Sequence, residues 1–309
     1  MTRTPPERTL NTSAPPIVLL AAGRSTRFGT LKQVAPVGPT GASILAYTAL
    51  DALEAGFGEV VLVTRDEVRL AILAHLADHL GDRLPIRTVD QSEPLGTGHA
   101  VLTAGRVIEG RFGVANGDDF YGRDALAALR AVLHEFSSGS SAAARAALVG
   151  YRMADTLSAH GGVSRGYIES DAQGVVTGIT EVHQVQQSSA ADSPLSGNVG
   201  TTKIDLPSDA WASMNLWGLS GDCVPLLERE FDQWLTQPTE VRGEFAISTV
   251  LDDLRLNGEL RVDLNRSGRE WFGLTFAPDA EQARGRLAAK HADGTYPVSL
   301  REMADRHRS

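Results

Sequence analysis

A chain of 309 residues is long enough for one large domain or two modest ones with a substantial buried core. With 42% hydrophobic and 22% charged residues it is not disordered throughout, and its longest apolar run, Ile17 to Ala22, is far short of the ~20 residues of a membrane-spanning helix. The net charge of −9 argues against nucleic acid as a partner, and the single Cys223 cannot form an intrachain disulfide, which fits a cytoplasmic location.

Residues 1–14 carry no apolar secretory core and read as a polar tail. Ile17 to Ala22 reads as a buried strand. Ser43 to Ala55 reads as a helix with Ser43 as N-cap and Gly56 as its stop. Strands follow at Glu59 to Thr64, Ile86 to Gln91 and Phe112 to Asn116, alternating with helices at Asp66 to Leu80, from Gly98, and at Asp124 to Phe136. Ser137 to Ser141 reads as a linker. Beyond it the pattern turns to strands at Ala147 to Met153, Val163 to Ser170, Val175 to His183 and Trp211 to Leu219, with Gln184 to Thr201 as a polar, mobile loop. Helices at Pro225 to Leu235 and Phe245 to Leu256, strands at Glu259 to Leu264 and Trp271 to Phe276, and a helix from Asp279 complete the series. The expectation is an α/β fold: a Rossmann-like, mostly parallel central sheet with helices on both faces and a smaller β-rich insertion. One domain spans 15–290, with halves at 15–136 and 146–290, and 291–309 reads as a C-terminal tail.

Against the overall acidity, residues 8–50 hold Arg8, Arg24, Arg27 and Lys32 and no Asp or Glu. The first strand runs into Leu20-Ala21-Ala22-Gly23-Arg24-Ser25-Thr26-Arg27, with Lys32 beyond. Small residues let backbone N–H groups approach an anion, and the cations can converge on phosphate oxygens, Arg as a fork and Lys as a point charge. The plainer alternative is a glycine turn with solvated basic residues. Two more stretches stand out, Gln91-Ser92-Glu93-Pro94-Leu95-Gly96-Thr97-Gly98-His99-Ala100 and Asn116-Gly117-Asp118-Asp119. A carboxylate ending an apolar strand is costly unless it meets a metal or donors.

In order and spacing these three stretches resemble the sugar-phosphate nucleotidyltransferases. Ser25 stands where that family usually has a second Gly, and Leu31 replaces the usual Pro before Lys32. The resemblance implies a GT-A-like nucleotidyltransferase fold and a Mg²⁺-dependent reaction joining an NTP to a sugar-1-phosphate-like molecule, with release of pyrophosphate. It places Leu20, Ala21, Ala22, Gly23, Gln91, Gly96, Thr97, Asn116 and Gly117 around the nucleotide. Gln91 with the Gly96–Thr97 backbone meets the base, aided by free N–H groups of the helix starting near Gly98. Arg24 and Arg27 meet the β/γ-phosphates, Lys32 the α-phosphate and the sugar phosphate, and Asp118 the magnesium, with Asp119 as a second candidate ligand. Arg165, Gly166 and Glu181 resemble the paired strands that hold the sugar, with Ser213 and Asn215 further contacts on one strand face. Val182 stands where the family often has Lys, so His183 or Arg165 takes over that phosphate contact. Gly273 stands where the family's second metal carboxylate is expected, leaving Asp119, another acid or water to complete the ion.

The attacking phosphate has a second pKa of ~6 and needs no strong general base, in keeping with a chain that shows no catalytic His or Cys constellation. Three other readings stand beside this one: a choline- or polyol-phosphate acceptor, a metal-dependent glycosyltransferase, and a catalytically silent nucleotide-binding regulator. The sequence leaves the base, the acceptor and a homo-oligomeric state open.

Overall fold

The computed structural model describes residues 14–23, 31–82, 84–136, 143–158, 161–188, 195–240, 242–274 and 279–306. Arg24, Arg27 and the Ser137 to Ser141 linker lie outside them, as do residues 1–13 of the N-terminal tail.

The first half alternates β1 (Ile17–Leu20), α1 (Ile44–Glu54), β2 (Val60–Thr64), α2 (Asp66–Leu80), β3 (Ile86–Asp90), α3 (Thr97–Gly105), β4 (Phe112–Asn116), the two-residue β5 (Asp119–Phe120) and α4 (Arg123–Glu135). The second half holds β6 (Ala144–Arg152), β7 (Val163–Ser170), β8 (Val176–Gln187), β9 (Leu195–Val199), β10 (Thr202–Leu206), β11 (Trp211–Leu219), α5 (Cys223–Leu235), α6 (Ile247–Leu256), β12 (Leu260–Gly268), the short β13 (Phe272–Gly273), α7 (Asp279–Ala292) and α8 (Leu300–Arg306).

The main sheet runs β10-β9-β8-β7-β11-β4-β1-β2-β3, with β6 and β12 added through β11. β4, β1, β2 and β3 are parallel neighbours, as are β6 and β12. β11 reverses direction, and everything from it to β10 is antiparallel. The sheet is therefore mixed, with a parallel core in the first half, helices on both faces and an antiparallel extension. Alternation along β1 explains the two covered faces: Ile17 and Leu19 join a core with α1 and α4, while Val18 joins another with α3, α5 and α6. Ser43 caps α1 by accepting from Ala46 N, and Gly56 follows it at φ +92°, a left-handed stop that glycine adopts without penalty.

Two expectations are corrected. Gln184 to Thr201 is not a loop throughout: β8 continues to Gln187, and Leu195–Val199 pairs with Thr202–Leu206 as a hairpin. Polar alternation concealed this hairpin, because an antiparallel edge with one solvated face needs few apolar residues. Nor do residues 291–306 form a tail. α8 buries Leu300, Met303 and Ala304, and the Tyr296 hydroxyl donates to buried Asp51 Oδ2 at 2.5 Å. Arg123 completes the clamp on Asp51 Oδ1 at 3.3 Å, and Tyr47 OH meets His291 Nε2 at 2.7 Å. α1, α4 and the C-terminal segment are thereby tied together.

Candidate active site

At the carboxyl ends of the parallel strands lies a cleft of about 520 Å³, where an open α/β sheet offers its ligand site. Lys32 stands in the short 3₁₀ turn Lys32–Val34 after the β1 loop, and Asp118 follows β4. The fold brings Lys32 Nζ to 2.5 Å from Asp118 Oδ2 on the cleft wall. Asp119 is the cross-strand partner of Gly273, and its backbone oxygen accepts from Thr48 Oγ1 of α1 at 2.8 Å. Its Oδ2 accepts from Asn116 Nδ2 at 2.9 Å, while Oδ1 lies against Gly273, where a Cβ would overlap it. The Asp119 carboxylate thus fills the volume that a side chain at position 273 would need. Burial first, and the charge of Asp118 second, push the Asp119 carboxyl well above the usual carboxylate range.

The β1 loop is anchored at its start. Gln33 Nε2 donates to Ala21 O and Gly23 O, Arg65 Nε donates to Ala22 O, and Gly117 N donates to Leu20 O. Gly117 lacks a side chain because a Cβ there would sit 2.9 Å from Leu20 O. Tyr121, fully buried, ties the other side: its hydroxyl accepts from Asn116 N and donates to Met214 O at 2.8 Å.

The stretch from Gln91 to Thr97 is clasped by the segment leading into α6. Phe245 N donates to Leu95 O, Gly98 N to Phe245 O at 2.7 Å, and Ile247 N to Thr97 Oγ1 at 3.0 Å. Gly98 N–H is consequently not free for a ligand, which corrects the expectation drawn from the helix start. Gly96 sits at φ +115°, and a Cβ would lie 2.6 Å from Phe245 O, so the close backbone crossing explains this glycine. Gln91 is buried, and its Nε2 donates to Gly96 O. Thr97 is the member of this stretch that lines the cleft.

The opposite wall comes from the antiparallel half. Arg165 and Gly166 on β7, Glu181 on β8, and Ser213 and Asn215 on β11 all border the cleft. Gly166 pairs with both Glu181 and Ser213. β11 is irregular between Ser213 and Trp217, where it passes from β7 to β4, and Asn215 adopts φ +58° there. Asn tolerates that left-handed geometry better than most side chains. Arg165 donates to Ser164 O at 2.8 Å and to Thr156 O, and its guanidinium lies 4.9 Å over the Trp271 ring. Burial lowers its pKa to about 10, which leaves it cationic at neutral pH. His183 does not border the cleft; its Nδ1 meets Ser164 Oγ at 2.8 Å.

Six cleft residues had no sequence signal: Glu244 and Ala246 before α6, and Ser248, Thr249, Asp252 and Asp253 on it. They reach the site only because α6 packs against the sheet. Six carboxylates (Asp118, Asp119, Glu181, Glu244, Asp252, Asp253) face two cations (Lys32, Arg165) among the described lining residues. These residues include no group of three or more His, Cys, Asp and Glu able to hold a metal by themselves. Asp118 and Asp119 do suit magnesium, which takes one or two carboxylates and completes its shell with phosphate and water. The Lys32 ammonium already seated on Asp118 marks this as a place where a cation is stabilised.

Residues 17–154 match the MobA-like NTP transferase domain family. A 95-residue stretch is 34% identical to the bifunctional protein GlmU of Geobacter sulfurreducens; it is 30% of this chain and 18% of that protein, so less than a fifth of the curated relative is spanned. In fold the chain resembles a UDP-glucose pyrophosphorylase solved with UDP-glucose, with a TM-score of 0.59 and 19% identity over 90% of this chain and 99% of that one. It also resembles a putative glucose-1-phosphate thymidylyltransferase from Bacillus anthracis solved with a sucrose, with a TM-score of 0.56 and 14% identity over 89% and 95% of the two chains. Residues 17–154 therefore resemble a MobA-like NTP transferase domain, and the chain as a whole shares the fold of these two solved nucleotidyltransferases.

Proposed function

We propose that this protein transfers a nucleotidyl group from an NTP to a sugar-1-phosphate or a sugar-like cyclitol phosphate, in a Mg²⁺-dependent reaction that releases pyrophosphate. One observation carries the reading: Lys32 and Asp118, 86 residues apart, meet in a cleft whose far wall carries Arg165, Glu181, Ser213 and Asn215. Two polyanions must approach each other, so catalysis is mostly positioning and charge neutralisation. Asp118 and Asp119 would hold the magnesium, which when bound neutralises phosphate charge. Lys32 is placed to pass its ammonium from Asp118 to a phosphate oxygen. Arg165, braced by two backbone carbonyls, offers its remaining positive face to the acceptor phosphate. Arg24 and Arg27 are assigned to the β/γ-phosphates, and the β1 loop, Asn116 and the Gln91 to Thr97 stretch to the nucleoside.

Gly166 gives hydroxyls access to the β7 backbone, while Glu181, Ser213 and Asn215 bind them. Glu181, Glu244, Asp252 and Asp253 repel an anionic group at that end, so the acceptor beyond its phosphate is neutral and hydroxyl-rich. The same carboxylates favour, as a second reading, a cationic head such as choline phosphate. The reaction belongs to the cytoplasm, where NTPs and such phosphates coexist.

The test is a pyrophosphate-release assay that crosses several NTPs with sugar, cyclitol, choline and polyol phosphates. Release that requires both an NTP and one acceptor class is expected. Absence of release from every pair would reject the reading, and it would leave a glycosyltransferase or a silent nucleotide binder.

A further inference from the structure

Resting on the reading that Gln91 faces the nucleobase, we infer that His99 is a specificity-determining positioning residue: it commits the Gln91 amide so that the base meets an acceptor. The Gly96 carbonyl can only accept, so the Gln91 atom 3.1 Å from it is the amide nitrogen, and the flipped amide is excluded. The same nitrogen lies 3.2 Å from His99 Nδ1. Both amide protons are thereby engaged, one by Gly96 O and one by Nδ1. His99 Nδ1 is then the unprotonated ring nitrogen, and the ring proton sits on Nε2. Oε1 is then the amide's one group left for a ligand, and because Gln91 is buried and Thr97 is the residue of this stretch that lines the cleft, a base must reach past Thr97 to meet it. An acceptor held rigidly at the base edge selects an N–H, either an exocyclic amino group or a ring imino group, and disfavours an edge that offers only acceptors at that position.

Both partners of the amide are themselves fixed. The Gly96 carbonyl belongs to the backbone crossing with Phe245 described above. The His99 ring stacks on Phe231 with centroids 4.9 Å apart and planes 12° apart. Phe231 in turn stacks on Trp234 at 5.7 Å, and the Arg242 guanidinium covers Trp234 at 4.4 Å. A ladder of flat groups, Arg242 and then Trp234 and Phe231 of α5, thus ends at the ring that orients Gln91. Burial keeps the His99 imidazole below its ordinary pKa, with Glu93 raising it and Arg106 lowering it, so the neutral form that accepts is the one present near neutral pH.

The NTP panel on the full chain first identifies the preferred nucleotide. His99→Phe keeps a ring on Phe231 and removes the acceptor, whereas His99→Asn places a side-chain oxygen close to the lost Nδ1. For His99→Phe the expected result is a rise of about tenfold in KM for the preferred NTP, the scale of one hydrogen bond, with little change in kcat or in acceptor KM. Its preference over the other NTPs shrinks by a similar factor, and His99→Asn restores most of it. An analogue of the preferred NTP methylated at its pairing N–H loses affinity with the native protein and little further with His99→Phe. Should His99→Phe not fold, the His99→Asn and methylated-analogue arms decide. A folded His99→Phe protein with unchanged NTP preference overturns the inference while leaving nucleotidyl transfer standing, as does a methylated analogue that the native protein accepts equally well. No turnover of any NTP would reject the functional reading itself, and this inference with it.

Discussion

The two halves of the sheet use their strands in opposite ways. β2 and most of β1 and β4 are buried on both faces, so their side chains build the core, and the chemistry is left to the loops at their carboxyl ends. β7 and β8 bury only Val163, Ile168, Val176, Val182 and Val185, so most of their side chains stay out of the core, and Arg165 and Glu181 border the cleft. On the proposed function, phosphate chemistry, which needs only anchored loops and a few charges, is assigned to the parallel half. The same proposal assigns acceptor recognition to the antiparallel half, where single side chains can change without disturbing a core. On this view, changes in the first half should abolish turnover, and changes in the second should shift acceptor choice.

The largest effect is expected from Lys32→Ala, which removes the cation paired with Asp118 and assigned by the proposed function to the phosphates. A drop of ~10²–10³ in kcat is expected, by analogy with single donors to developing charge. A folded variant with full pyrophosphate release would break the division between the halves. Gly273→Ala should cost about 1–3 kcal/mol by overpacking against Asp119 Oδ1 and should also weaken divalent-metal binding, read from Mn²⁺ titration and thermal unfolding. The exchange of Asp119→Gly with Gly273→Asp should recover part of the metal affinity that Gly273→Asp alone loses. Failure to do so would show that the two positions do not share one volume.

A smaller, pH-dependent effect is expected at Asp51. Its carboxyl is raised from 3.8 to about 6, by burial first, against the opposing Tyr296 and Arg123. A folded state with a raised pKa holds its proton more tightly than the unfolded chain. The contribution to stability is therefore fully present below about 3.8 and is lost as pH rises through 6. The melting temperature of the native protein relative to Asp51→Asn should fall by a few degrees between pH 4 and pH 7, measured by calorimetry. A flat difference would mean that the clamp holds Asp51 at its ordinary pKa. The smallest change is expected from Glu181→Gln. Its side chain is 69% exposed, so melting should be unchanged while acceptor KM rises several-fold and NTP KM does not move.

Much of the first half is legible because its signals are local. The Ser43 cap, the Gly56 stop, the bounds of α2 and β4, and the run from Asn116 to Asp119 depend on residues a few positions apart. The second half is less legible. The β9–β10 hairpin hides in a polar stretch, and α8 reads as a tail because its burial depends on α1, over two hundred residues earlier. Ser213 and Asn215 read from the sequence as one face of a regular strand. Both line the cleft, but through an irregular stretch with Asn215 left-handed. Glycines mislead for the same reason: Gly98 suggests open N–H groups, and Phe245 has taken its donor.

Composition, periodicity and motif spacing alone determined the alternating α/β order, a run of cations in the sequence after the first strand and an acid after the fourth, because these follow from interactions between near neighbours. Tertiary structure alone decided that Asp119 and Gly273 share one space, that α6 lines the cleft with acids, and that His99 commits the Gln91 amide. Each depends on the approach of groups far apart in the chain or on which hydrogen-bonding partners burial leaves available, and neither distance nor partner is written in local sequence.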